Sequence, residues 1–65
     1  MTLQQALSIL NSYAILNRDA GECALPVEEL VLARDGGPWM VKLKEGDLHP
    51  WVRVSMIPEF RERKA

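Results

Sequence analysis

No charged side chain occurs between Met1 and Asn17, yet the apolar residues of that stretch fall at helical spacing. At ~100° per residue, Leu3, Ala6, Leu7, Ile9, Leu10, Tyr13, Ala14 and Leu16 form one continuous arc, with Gln4, Gln5, Ser8, Asn11 and Ser12 opposite. Thr2 followed by Gln5 fits a capping box, in which each side chain satisfies the other residue's free backbone donor. The pattern predicts an amphipathic helix over residues 2–17, ~23 Å long. Its arc covers about half the circumference, wider than a single contact needs. A polar side made of amides and hydroxyls alone suits a surface that another molecule covers. Ile15, stranded on that polar side, points the same way, so Leu3, Leu7, Leu10 and Ile15 are the expected dimer or partner interface.

Size supports that expectation. A chain of 65 residues makes one domain at most. The apolar burial it can achieve and the entropy it must lose are both on the order of 100 kcal/mol, so they nearly cancel. Association, most simply into a homodimer, supplies the missing burial.

After Asn17, a residue that tolerates helix-closing conformations, residues 18–25 read as a linker. Residues 26–34 are ambiguous. Pro26, Glu28 and Glu29 resemble a helix start. Leu30–Ala33 followed by Asp35-Gly36-Gly37 instead reads as a strand running into a turn, and this reading is favoured. Residues 39–44 alternate apolar and polar, Glu45-Gly46-Asp47 is the next turn, and residues 51–57 alternate again before Pro58 stops the strand. Pro38-Trp39 and Pro50-Trp51 echo each other because proline is tolerated where a strand opens. The expected fold is α+β: one N-terminal helix on a three-stranded antiparallel meander spanning 26–57, with a tail over 58–65. If residues 26–34 were helical, the alternative would be two helices and a β-hairpin.

Alternation also sorts the faces. Trp39, Val41, Leu43, Val52, Val54 and Met56 should face the helix. Met40, Lys42, Lys44, Trp51, Arg53 and Ile57 should form an outer, partner-binding face of cations interleaved with apolar groups. In the tail, Phe60 is a candidate anchor, and Arg61, Arg63 and Lys64 are candidate contacts to a partner or to phosphates.

Catalysis finds little support. Cys23 and His49 are the only thiol–imidazole pair and lack a third orienting group. They supply two of the about four ligands that zinc wants. Gly36-Gly37 is too short to cradle phosphate, and the adjacent Glu28 and Glu29 do not converge on one substrate. No cofactor is expected. Nine acids and eight bases give a net charge of −1, against a globally basic nucleic-acid binder. The halves differ, however: residues 1–40 carry −3 and residues 41–65 carry +2. One cysteine cannot form an internal disulfide, which suits a reducing cytoplasm. No apolar run suggests a signal peptide or a membrane span. The sequence therefore points to a small, non-enzymatic interaction or regulatory protein that binds itself and another, unidentified protein. Nucleic-acid binding through the basic face and tail is the less favoured alternative.

Overall fold

The computed structural model describes residues 1–63; Lys64, named above with the tail, lies outside them. A helix α1 (Leu3–Leu10) leads into strands β1 (Ser12–Arg18), β2 (Gly21–Leu32), β3 (Trp39–Leu43) and β4 (Trp51–Arg53), a 3₁₀ turn over Val54–Met56, and β5 (Glu59–Glu62). The five strands form one antiparallel sheet in the order β4-β3-β2-β1-β5. The α+β class holds; a meander of three strands does not, because strands precede and follow it.

The capping box forms as its residues dictate. Gln5 N–H donates to the Thr2 hydroxyl at 3.1 Å, and Thr2 N–H to Gln5 Oε1 at 2.9 Å. The helix then ends at Leu10, well short of the predicted boundary at Asn17. Residues 12–17, Ser-Tyr-Ala-Ile-Leu-Asn, hold four consecutive apolar residues, a run that periodicity alone assigns to neither helix nor strand, and Tyr13 and Ile15 favour the extended state. Pairing decides: β1 lies between β2 and β5, with Ala14 opposite both Leu25 and Phe60. At the junction the Ser12 hydroxyl, buried, donates to the Ser8 carbonyl and closes the last turn.

The stretch expected to be a linker is instead the β1–β2 hairpin, in which Arg18 pairs with Gly21 across Asp19-Ala20. β2 is twelve residues long, and its first half pairs with β1. A register shift between Val27 and Glu29 lets its second half pair with β3. Pro26 sits next to this change of partner, where a missing N–H costs little, and its carbonyl accepts from Lys44 N–H at 3.1 Å. The turns at Gly36 and Gly46 form as read, with φ of 71° and 63° that only glycine adopts cheaply.

The core is small: Ala14, Leu25, Val27, Val41, Leu43 and Ile57 are buried, ringed by half-buried residues including Ile9, Leu10, Leu16, Cys23, Val52 and Phe60. Val41 and Leu43 face inward as alternation predicts. Two residues swap sides from their predicted faces. Ile57, expected outside, is 7% exposed, and Met56, expected inside, is 70% exposed. The 3₁₀ turn replaces the strand after Arg53 and breaks the two-residue alternation there.

Ile15 is the largest correction. It lies in β1 rather than on a helix, and it is 3% exposed. It points away from Ala14, so it is buried on the opposite face of the sheet. Arg61 stands opposite Tyr13 on β5, and Glu22 opposite Asn17 on β2, so Ile15 lies on the diagonal between them. The Arg61 guanidinium reaches along that diagonal to Glu22 at 3.0 Å and is held by Glu59 at 3.2 Å. This arginine bridge roofs the isoleucine, its stem covering apolar surface while its head stays wet.

The tail is likewise not a loose terminus. Its four-residue strand completes the sheet beside β1. Beyond it, Arg63 N–H donates to the Asn11 carbonyl at 2.9 Å, and the Arg63 guanidinium donates to the Leu10 carbonyl at 3.0 Å. A cation thereby sits on the free carbonyls at the negative end of α1, and 5.9 Å from the Tyr13 ring centroid.

Candidate interaction surfaces

Among the described residues, two surfaces combine exposed apolar side chains on regular elements once these contacts are made. The first is the flank of α1. Ile9 and Leu10 pack on the core, but no residue of the helix is buried. Leu3 is 76% and Leu7 56% exposed. Residues at i and i+4 stack on one side of a helix, so Leu3 and Leu7 form a stripe. The wide arc read from the sequence is thus split: one half closes the core and the other faces outward. Of the four residues expected at an interface, Leu3 and Leu7 are available. Leu10 is half-buried against the core, and Ile15 is roofed by Arg61.

The second surface is the outward face of β2–β3–β4. Cross-strand register sets Val31, Met40 and Arg53 in one row and Glu29, Lys42 and Trp51 in the next. Four of the six residues expected on this face, Met40, Lys42, Trp51 and Arg53, are therefore neighbours. Lys44 follows the end of β3 and is exposed; Ile57 belongs to the core. Trp51 is 45% and Val31 40% exposed. Lys42 is already engaged, with its Nζ 3.1 Å from Glu29 and 6.0 Å from the Trp51 ring centroid. Arg53 has no acidic partner within 4.0 Å among the described residues.

Other candidates are spoken for. Arg61 and Arg63, read as contacts for a partner, hold the fold together instead. Glu59 first and Glu22 second keep the Arg61 guanidinium charged, by hydrogen bonding and proximity. Phe60 packs against the core as an anchor should. A groove of about 490 Å³ runs between the end of β1 and the 3₁₀ turn, lined by Leu16, Arg18, Met56 and Pro58, with Arg18 tied to Glu45 at 3.2 Å.

Cys23 and His49 have separate surroundings. Cys23 packs against the core from the first half of β2. His49 Nδ1 lies 2.6 Å from Glu28, about 15 Å further along the strand. Glu28 is acceptor-only when ionised, so Nδ1 carries the shared hydrogen. This hydrogen bond is the main cause that holds the Glu28 carboxyl below its ordinary value. A carboxylate with a lowered folded-state pKa favours folding above its unfolded pKa, and that contribution fades as pH falls through the folded value. His49→Ala should return the Glu28 titration midpoint to the ordinary carboxylate range, read from its side-chain carbon shift by NMR. An unchanged midpoint would mean that the contact is not formed in solution.

The roles of Arg61 and Arg63 escaped the sequence. Glu59-Phe60-Arg61-Glu62 holds a single apolar residue, too little to separate a strand from a solvated tail.

No protein-family model matches the chain, and neither a curated protein nor a solved structure does. Among the described residues no helix is long and apolar enough to cross a membrane.

Proposed function

We propose that this chain is a non-enzymatic protein-binding module that associates with a second copy of itself through the flank of α1, in a reducing, cytoplasmic setting where Cys23 stays a thiol. The observation that carries this reading is the exposed Leu3–Leu7 stripe on a helix with no charged side chain. Charges carried into a contact between two copies must be desolvated and paired. The neutral run from Met1 to Asn17 avoids that cost. The amount of surface agrees. The chain exposes 4806 Å², about 600 Å² more than the ~4,200 Å² typical of its mass. One partner in a small stable interface buries a similar area, roughly 600–800 Å².

Paired cations weigh against nucleic acid as the main ligand. Lys42, Arg61 and Arg63 are held by Glu29, by Glu22 and Glu59, and by backbone carbonyls, so few remain for phosphates.

Light scattering at micromolar concentration tests the reading. The wild-type chain should have twice the monomer mass, and Leu3→Glu with Leu7→Glu should have the monomer mass with an unchanged circular dichroism spectrum. Both positions are exposed, so the double variant keeps the core intact. A monomeric wild type, or a variant that remains dimeric, refutes the assignment.

A further inference from the structure

The outward face of β2–β3–β4 is separate from the α1 flank and has a different chemistry. It carries Met40 on the middle strand β3 and Trp51 and Arg53 on the edge strand β4, types enriched at protein interfaces. Val31 completes an apolar strip beside them. The one lysine of the grid, a type depleted at such sites, is already neutralised by Glu29 and set near the Trp51 ring. That ring is therefore partly ordered before any ligand arrives, which lowers the entropy cost of binding to it. Arg53 stands in the Val31–Met40 row, exposed, with all its donors free of acids among the described residues. A free guanidinium next to apolar groups complements a carboxylate next to an apolar side chain, and its planar fork can grip that carboxylate with two hydrogen bonds.

From this juxtaposition we infer that the face binds a short acidic segment of a partner protein, whose carboxylate pairs with Arg53 while an aliphatic or aromatic side chain lies on Met40, Val31 and Trp51. The strand edge adds little to this recognition. β4 has three residues and follows Pro50, so little backbone is available to pair with an incoming strand. Side chains carry the contact. The Glu29–Lys42 pair leaves its row without net charge, so Arg53 is the uncompensated charge of this grid and fixes where the ligand's carboxylate sits.

The probe is a synthetic peptide, Asp-Asp-Leu-Phe-Asp-Glu-Leu, titrated into the ¹⁵N-labelled full chain by NMR. Saturable shifts should fall on the amides of Val31, Met40 and Arg53 and on the Trp51 indole. Arg53→Glu should weaken binding about tenfold or more, and Trp51→Ala should do the same. Both residues are exposed, so an unchanged amide spectrum elsewhere verifies the fold of each variant. A peptide with lysine in place of each acid should not bind. No shifts at millimolar peptide, equal binding of the lysine peptide, shifts centred on α1, or tighter binding of a twelve-nucleotide oligothymidylate would each overturn the inference. The mass measurement described above is independent of this titration, so either proposal can fail alone.

Discussion

Ile15→Glu should unfold the chain rather than split a dimer. A helix over residues 2–17 would place this position on its polar side, where a glutamate merely disturbs a contact. In the sheet the side chain is 3% exposed beneath Arg61, so a carboxylate there must be desolvated or must displace the roof. An unpaired buried charge costs several kcal/mol. A domain of this length has a total stability of only ~3–10 kcal/mol. Circular dichroism should show loss of the folded signal at 25 °C, and Ile15→Ala should lower stability by ~2–4 kcal/mol in urea titration. A folded, monomeric Ile15→Glu would restore the longer helix and remove β1 from the sheet. The contrast with Leu7→Glu, which is expected to stay folded, separates a core position from a surface one although both are aliphatic residues of the same uncharged run.

Truncation after Pro58 is the second large effect, and it too should abolish folding. A solvated tail would be dispensable. β5 instead covers the outer edge of β1 over four residue pairs and packs Phe60 on the core. Beyond it, Arg63 closes the carbonyls of Leu10 and Asn11. Its loss uncovers one face of the core, opens one edge of β1, frees the end of α1 and removes the roof over Ile15. Together these exceed the stability available to the chain. Two point variants apportion the effect: Phe60→Ala should cost ~3 kcal/mol, and Arg63→Ala ~1 kcal/mol through the helix end. A truncated chain that melts cooperatively near the wild-type temperature would show that β5 is not integral.

Local chemistry makes a good deal of this molecule legible. The Thr2–Gln5 box needs only residues three apart, so it survives whatever follows it. The turns at Gly36 and Gly46 follow from a backbone conformation that other residues adopt at a cost. The inward set Val41 and Leu43 and the outward set Met40, Lys42, Trp51 and Arg53 follow from the pleat of β3 and of the short β4 paired to it. Four residues of the second surface are therefore readable from alternation, while Val31 and Glu29 join it only through cross-strand register and Ile57 leaves it for the core. The first is readable only in part, since its apolar arc shows how much of the helix wants cover but not which residues the fold itself covers.

The rest depends on contacts between distant parts of the chain. The unbroken apolar run Tyr-Ala-Ile-Leu suits a strand or a helix alike, and only the presence of β2 and β5 on either side makes it a strand. Ile57 and Met56 exchange faces because the chain tightens into a 3₁₀ turn after Arg53, which no local residue signals. Arg61 and Arg63 become roof and cap because the end of the chain returns to its beginning, so that Arg63 meets Leu10 across 53 positions of sequence. Sequence spacing alone determined the cap, the turns and the two alternating strands, whose causes lie within a few residues of one another. Tertiary structure decided where α1 stops, which isoleucines are buried and which cations are spent, since burial and ion pairing depend on neighbours that the chain meets only when folded.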